Sequence, residues 1–285
     1  MRLCFFNDNR LGLVRGDQVL DVSDALNAIP QARYPFPAHD ALIANLGAVL
    51  PAVEAAAGDA KAYPLADVQL KSPVLNPGKV VAAPVNYMAH LEEAIAEPET
   101  FVEAHVRQIQ ETGLFLKATS SLSGASQPIR IRQPERRTDH EVELAVIIGR
   151  ECSRVSRADA TDYIAGYSIG LDITVRGPEE RSLRKSSDTY TVLGPWLVTA
   201  DELPDPSALD LALDVNGEAR QRANTRDLIM SIPELIEFAS LYYTLHPGDI
   251  LLTGTPEGVG PIRPGEVVDA RIENIGAIRI PVVAG

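Results

Sequence analysis

Residues 139–149 read Asp-His-Glu-Val-Glu-Leu-Ala-Val-Ile-Ile-Gly, and they predict a buried strand that carries two carboxylates. Side chains two residues apart in a strand share a face, so Glu141 and Glu143 point the same way. The opposite face of this strand is wholly apolar. Burying two carboxylates costs several kcal/mol each unless a cation compensates them. The stretch therefore predicts a cation beside the two glutamates.

A third carboxylate has the same character. Asp172 follows the run 163–171, which would otherwise belong to the core. Three carboxylates without histidine or cysteine ligands form a hard oxygen site, which suits Mg²⁺ or Mn²⁺ and suits zinc poorly. The residues alone leave an alternative open, in which the two glutamates pair with nearby arginines, namely Arg136, Arg137 or Arg176.

Short β-rich runs surround this strand and outnumber the helices. We predict further strands at 79–83, 129–131, 163–173, 196–198, 209–215, 250–252, 267–272 and 277–283, and helices at 87–96, 99–111, 159–163 and 232–244. Asn216-Gly217 predicts a type I′ hairpin turn. Because strands and helices do not alternate regularly, we predict a β-rich α+β fold, a compact roll or sandwich of mixed strands, and not a doubly wound sheet.

The first 75 residues predict a small α/β domain. Short strands are expected at 3–6, 11–14 and 18–22, followed by apolar residues at helical spacing between Leu42 and Val53. The segment 71–79 carries two prolines and a glycine between patterned regions. We therefore predict a small N-terminal domain at 1–75 and a main domain at 76–285.

Composition excludes several classes of partner. The chain has 26 lysines and arginines against 39 aspartates and glutamates, a net charge of −13, which disfavours nucleic acids and anionic membrane surfaces. Cys4 and Cys152 have no partner at metal or redox spacing, as is usual in a reducing cytoplasm. The apolar run Leu3–Phe6 is too short for a signal peptide. We expect a cytoplasmic protein that binds neither nucleic acid nor membrane.

A histidine and a glutamate stand at helical spacing in the predicted helix at 87–96. His90 and Glu93 are three residues apart and so lie on one helix face. A carboxylate beside an imidazole raises its basicity and selects its tautomer, which a general base acting on water requires. The alternative is a solvated helix with an incidental ion pair.

Cations and a glycine-rich loop follow the acidic residues. Arg176, Arg181, Arg184 and Lys185 form a basic cluster that fits an anionic substrate, or else a solvated loop. Lys117 ends an apolar run, so it is either buried with a partner or at the mouth of a site. The loop 253–260 suits a carboxylate or carbonyl, or is an ordinary turn. It lacks the Gly-Lys-Ser/Thr ending of a nucleotide-binding P-loop.

Taken in order, these motifs resemble the fumarylacetoacetate hydrolase family over about residues 79–280. The matching landmarks are Asn86-Tyr87-x-x-His90-x-x-Glu93, Phe115-x-Lys117, Asp139-x-Glu141-x-Glu143-Leu, Gly166-Tyr167, Asp172-x-x-x-Arg176, Lys185, Gly194-Pro195-Trp196, Asn216-Gly217, and Pro247-Gly248-Asp249 through Thr253-Gly-Thr-Pro256. No single landmark is specific, but their shared order is.

The resemblance implies a mixed β-sandwich roll in a homodimer, with Mg²⁺ or Mn²⁺ held by Glu141, Glu143 and Asp172. It implies that His90 and Glu93 activate water and that Lys185 and Arg176 stabilise charge. The implied substrate contacts are Tyr87, Lys117, Arg176, Glu179 and Thr255. Glu179 stands where the family often has glutamine, Ala118 where proline is common, and 103–111 is extra helix. Glu179 and the segment 103–111 lie where substrate is selected.

The expected activity is the hydrolytic cleavage of a carbon–carbon bond in an acylpyruvate, of the fumarylpyruvate or maleylpyruvate type, in aromatic-compound catabolism. His90 would activate water, and pyruvate would be released. The same site would also fit decarboxylation of oxaloacetate or another 2-oxo acid, or isomerisation of an unsaturated oxo-diacid. A further alternative is a ligand-binding protein without activity, in which the cation only neutralises buried acids. The helix at 99–111 is predicted to be a lid.

Overall fold

A computed structural model describes residues 1–96 and 109–285. Segment 99–111 was predicted to be a lid, and its residues 99–108 lie outside the described residues. The described helices are α1 (Ala41–Ala44), α2 (Leu46–Ala56), α3 (Met88–Ala96), α4 (Ile109–Thr112), α5 (Arg181–Arg184) and α6 (Ile232–Tyr242). Of these, none has both the length and the apolarity that crossing a membrane would require.

Strands dominate the chain, as predicted. They are β1 (Arg2–Phe6), β2 (Arg10–Arg15), β3 (Gln18–Asp21), β4 (Ala62–Pro64), β5 (Val80–Ala82), β6 (Phe115–Lys117), β7 (Leu122–Gly124), β8 (Ile129–Ile131), β9 (Thr138–His140), β10 (Val142–Ile148), β11 (Ile164–Asp172), β12 (Thr174–Val175), β13 (Thr191–Thr199), β14 (Asp210–Val215), β15 (Glu218–Asn224), β16 (Ile250–Leu252), β17 (Gly260–Pro261), β18 (Val267–Ile272) and β19 (Gly276–Ala284).

The strands of the described ranges form three sheets. The largest has eleven strands in the order β4-β3-β2-β1-β13-β11-β10-β16-β5-β6, with β7 also paired to β13. A five-stranded sheet runs β15-β14-β18-β19-β8, and a three-stranded sheet runs β12-β9-β17. Most neighbours are antiparallel, but β7 with β13, β5 with β16 and β8 with β19 are parallel. The predicted β-rich fold of mixed strands is confirmed.

The N-terminal strands continue the large sheet. β1 pairs antiparallel with β13, so that Leu3 lies opposite Leu197. Leu3 and Phe5 are buried in one apolar cluster with Ala145 and Ile147 of β10. The domain boundary near residue 75 stays a prediction, since the N-terminal strands share a sheet and a core with strands of the main domain.

Strand β10 is an inner strand of the large sheet, and every one of its residues is buried. It pairs antiparallel with β11 on one side and with β16 on the other. The start of this strand differs from the prediction, because Glu141 lies between β9 and β10. These two strands belong to different sheets, so the chain crosses from one sheet to the next at Glu141.

Local signals confirm several other predicted elements. The hairpin turn at Asn216-Gly217 has φ values of 52° and 81°, the left-handed region that a type I′ turn requires. Helix α6 begins after Ser231, whose side chain forms a capping box with Glu234. The predicted helix at 159–163 is instead a 3₁₀ turn at Ala160–Tyr163.

Candidate active site

Three buried carboxylates meet where β10 begins and β11 ends. Oxygen atoms of Glu141, Glu143 and Asp172 lie within 4.8 Å of one another. The antiparallel register explains this meeting, because Glu143 lies opposite Gly170 and Val142 opposite Leu171. The backbone amide of Asp172 also donates to the carbonyl of Glu141 at 2.9 Å. The predicted cluster of Glu141, Glu143 and Asp172, hereafter the acidic triad, is therefore assembled by strand pairing.

Two lysines contact the acidic triad. Lys185 Nζ donates to Glu141 Oε2 at 2.7 Å and to Asp172 Oδ2 at 2.6 Å. Lys117 Nζ donates to Asp172 Oδ1 at 2.5 Å and to the Tyr190 carbonyl at 2.7 Å. Of the two positions open to Lys117 from the sequence, the structure shows the buried one with a partner.

One of the three candidate arginines reaches the triad. Arg176 donates to Glu141 Oε1 at 3.0 Å and to Asp139 Oδ2 at 2.6 Å. The other two candidates pair elsewhere, Arg137 with Asp139 and Arg136 with Glu179. Ion pairing and a metal site are therefore not exclusive alternatives here, because the same carboxylates that face lysine and arginine also face one another.

The pKa values of the two glutamates move in opposite directions. Burial opposes the ionisation of Glu141, but the charges of Lys185 and Arg176 outweigh it and lower its pKa to about 2. Burial, together with the charges of Asp172 and Glu141, raises the pKa of Glu143 well above its usual range. Among the described residues, lysines or arginines form ion pairs with Glu141 and Asp172 but none with Glu143. Three hard oxygen donors of this kind fit Mg²⁺ or Mn²⁺.

Helix α3 brings the predicted histidine–glutamate pair to the triad. His90 Nδ1 lies 2.9 Å from Glu93 Oε2, and the imidazole is buried. His90 lies close enough to Glu141 that a positive charge on its ring would help to lower the pKa of Glu141. Glu93 Oε1 also accepts a hydrogen bond from the Gly258 amide at 2.8 Å.

The other predicted substrate contacts differ in their surroundings. Tyr87 is buried, and its hydroxyl has no hydrogen-bond partner among the described residues. Burial, followed by the charge of Glu143, raises the pKa of this phenol. Thr255 Oγ1 donates to the Val142 carbonyl at 2.9 Å. Glu179 is half-buried and accepts two hydrogen bonds from Arg136, at 3.0 and 2.7 Å.

The residues of the basic cluster contact different parts of the protein. Arg184 donates to two backbone carbonyls, those of Glu179 and Val175. The guanidinium of Arg181 lies 5.4 Å from the centroid of the Phe115 ring, and Lys185 Nζ lies 5.5 Å from the same centroid. Arg181 and Lys185, which contacts the triad, therefore lie against the same aromatic ring.

Gln221 is part of the site and was not predicted. Its side chain on β15 is fully buried and contacts both the start of β10 and the loop after β16. The neighbouring His140 is equally buried, and burial lowers its pKa to about 4, so the imidazole is neutral near pH 7. Nothing in the sequence singles out Gln221, because it lies in the polar run 218–224, which is typical of a solvent-facing strand.

The chain is similar to several known proteins. The fumarylacetoacetate (FAA) hydrolase C-terminal family model matches residues 79–283. The maleylpyruvate hydrolase of Aquipseudomonas alcaligenes is 54% identical over 284 residues, which are 99% of this chain and 99% of that protein. The crystal structure of maleylpyruvate hydrolase from Sphingobium sp. SYK-6, in complex with manganese(II) and pyruvate, matches with a TM-score of 0.86 at 42% identity and covers 100% of both chains. The mitochondrial oxaloacetate tautomerase fahd2 of Xenopus laevis is 36% identical over 76% of this chain and 69% of that protein.

Proposed function

The chain belongs to the fumarylacetoacetate hydrolase family and is a hydrolase of carbon–carbon bonds, and we propose that it cleaves maleylpyruvate, or a close analogue, in aromatic-compound catabolism. The observation that carries this proposal is that one loop donates hydrogen bonds both to Glu143 of the acidic triad and to Glu93, the partner of His90. The maleylpyruvate hydrolase relatives, which match over nearly the whole chain, support the choice of substrate.

Glu141, Glu143 and Asp172 would hold the divalent cation. The relative from Sphingobium contains manganese, which supports Mn²⁺, and Mg²⁺ has the same preference for carboxylate oxygen. When bound, such a cation supplies Lewis-acid stabilisation for the negative charge that develops on a 2-oxo acid.

His90 is the proposed general base. Glu93 Oε2 accepts the hydrogen of His90 Nδ1, which leaves Nε2 able to accept a proton from water. The water oxygen adds to the C4 carbonyl, the C3–C4 bond then breaks, and the electron pair of that bond forms the enolate of pyruvate. The proton held by His90 returns to C3, so that water and maleylpyruvate yield maleate and pyruvate.

The two lysines that contact the acidic triad supply positive charge where the enolate forms. The ammonium of Lys185 is buried and lies within 2.7 Å of two triad carboxylates, so its charge is weakly screened by solvent. Removing one such electrostatic contact commonly lowers turnover by about 10²–10³. The Tyr87 hydroxyl, which has no partner among the described residues, is a further proposed donor to the substrate.

The far carboxylate of maleylpyruvate also needs a cation. Arg181 is the proposed receptor, because it lies against the same Phe115 ring as Lys185, which contacts the triad. Burial lowers the pKa of Arg181, and the charges of Glu141 and Asp172 oppose that decrease, so this guanidinium lies within the field of the triad. A fork of donors also matches a carboxylate better than a lysine ammonium does.

Decarboxylation or tautomerisation of oxaloacetate is the second candidate activity. The oxaloacetate tautomerase of Xenopus, at 36% identity, favours it. Decarboxylation needs neither attack by water nor a general base, so decarboxylation of oxaloacetate that persists in His90→Ala would separate it from hydrolysis. We further propose a homodimer in the cytoplasm, on the basis of the family resemblance and of the cysteine content.

The test is the loss of enol absorbance of maleylpyruvate and of fumarylpyruvate, measured with Mn²⁺, with Mg²⁺ and with a chelator. We expect a metal-dependent loss that produces one pyruvate for each substrate molecule consumed. Absorbance that is unchanged with both metals would contradict the proposed hydrolysis, and oxaloacetate would then be tested.

A further inference from the structure

We propose that Gln221 is a positioning residue of the metal site, which holds the backbone between Glu141 and Glu143 in register and thereby sets the affinity for the divalent cation. This inference rests on the proposed function in one respect, namely that the acidic triad binds a metal. Within the described part of the chain, Gln221 forms no hydrogen bond with the three carboxylates, so its effect is transmitted through Val142 and Thr255.

The observation behind this proposal is a closed ring of hydrogen bonds around Val142. The Val142 amide donates to Gln221 Oε1 at 3.0 Å. Gln221 Nε2 donates to Thr255 Oγ1 at 2.8 Å, and Thr255 Oγ1 donates to the Val142 carbonyl at 2.9 Å. Both backbone polar groups of the residue between the two metal-site glutamates are therefore held by the same pair of side chains.

The orientation of the Gln221 amide is determined by its neighbours. A backbone N–H can only donate, so the side facing Val142 must be the oxygen. A backbone carbonyl can only accept, so the side that lies 2.9 Å from the Pro256 carbonyl must be the nitrogen. Glutamine offers this acceptor and this neutral donor in one plane without having to bind a proton, as a glutamate of the same length would.

The ring extends to Glu143 through the loop that follows β16. Thr253 Oγ1 donates to the Leu144 carbonyl at 3.0 Å, and the Gly254 amide donates to Glu143 Oε2 at 2.6 Å. The contact between Thr255 and Val142 is the next one between this loop and β10. Gln221 bonds Thr255 at the end of this series of contacts. It therefore also helps to hold the nearby Gly254 amide, which orients Glu143.

A β-bulge explains how a glutamine from a polar strand reaches this position. In the pairing of β14 with β15, Leu213 lies opposite Gln221 but Asp214 lies opposite Ala219, which leaves Arg220 as the extra residue. A bulge rotates the side chains beyond it. Arg220 and Arg222 are exposed, while Gln221 between them is fully buried.

The experiment compares Mn²⁺ binding by calorimetry in the full-length wild type, Gln221→Met and Ser240→Ala. Methionine has a similar length but neither donates nor accepts in the ring. Ser240 is a buried side chain on α6 that bonds the Val155 amide, and its loss controls for general destabilisation. Loss of a group that orients metal ligands typically weakens binding about 10–100-fold, so we expect a loss in this range for Gln221→Met and none for Ser240→Ala.

Thr255→Val alone keeps the test decisive if Gln221→Met folds poorly, because Thr255 holds the Val142 carbonyl; where both variants fold, a double-variant cycle is added. Both side chains act on Val142, so we expect the double variant to bind Mn²⁺ about as weakly as the weaker single variant. Unchanged Mn²⁺ affinity in folded Gln221→Met or in Thr255→Val, or fold-changes that simply multiply, would overturn the proposal. Wild type that binds no Mn²⁺ would instead refute the metal site, and with it the proposed function.

Discussion

The carboxylate of Glu93 accepts a hydrogen bond from the backbone amide of Gly258 at 2.8 Å, and this contact joins helix α3 to the loop that follows β16. The same carboxylate holds His90 through its other oxygen. The loop therefore acts on both sides of the site, since Gly254 orients Glu143 and Gly258 orients the partner of the proposed base.

Gly258→Ala should lower kcat, and the increase in the activation free energy should exceed the decrease in the free energy of unfolding. Gly258 has a φ of 86°, and a Cβ there would lie 2.0 Å from the Arg220 carbonyl oxygen, so the loop must shift and the bond to Glu93 is lost. We expect kcat to fall about tenfold, the effect of losing a hydrogen bond of about 1.4 kcal/mol. Gly265→Ala is the matched control, because Gly265 also has positive φ but no atom within 4 Å of the added Cβ. Equal kcat values for the two variants would contradict the prediction.

Lys185→Met should lower turnover by about 10²–10³ while the fold is retained. The variant removes the buried ammonium that contacts Glu141 and Asp172. Lys79→Met is a suitable comparison, because it breaks an ion pair with the buried Asp249. Steady-state hydrolysis of maleylpyruvate and a thermal melt measure the two effects. Full activity in Lys185→Met would exclude the proposed charge role.

Removal of the divalent cation should abolish hydrolysis and lower the melting temperature. A ligand present at 100 times its Kd stabilises the folded state by about 2.7 kcal/mol, provided that it does not bind the unfolded chain. Mn²⁺ should therefore raise the Tm of the chelator-treated protein by several degrees. Asp172→Asn should lose this increase, whereas Asp269→Asn, which alters an exposed pair with Arg279, should keep it. Differential scanning calorimetry with and without Mn²⁺ makes the comparison.

Arg181→Met should discriminate between substrates with and without a second carboxylate. A hydrogen bond to a charged group is worth about 1.5–3 kcal/mol, so kcat/KM for maleylpyruvate should fall about 10- to 100-fold. Acetylpyruvate, whose acyl group is neutral, should lose little. An equal loss on both substrates would show that Arg181 does not receive the far carboxylate.

The sequence reveals charges in apolar surroundings more readily than neutral polar groups in polar ones. Glu141 and Glu143 were predictable as a pair on one face of a buried strand, and Asp172 as a third carboxylate that follows an apolar run. The meeting of these three carboxylates then follows from the register of β10 with β11. The exact path of the chain at Glu141 was not predictable, because it depends on which sheet each of the flanking strands joins.

Gln221 could not be predicted, for the opposite reason. The residue is neutral and stands between two exposed arginines, so no local pattern marks it as buried. Its position depends on the bulge at Arg220 and on a loop more than thirty residues further along the chain. Such long-range packing has no signature in one sequence.

The bond from Gly254 to Glu143 spans 111 residues, and it also sets an order of events during synthesis. A nascent chain that has emerged only as far as β13 already carries all three carboxylates and both lysines of the site, yet it lacks the loop that orients Glu143. The mature affinity for the divalent cation can therefore arise only after residue 254 has left the ribosome. Nearly complete chains would then take up the cation, and unfinished chains would not.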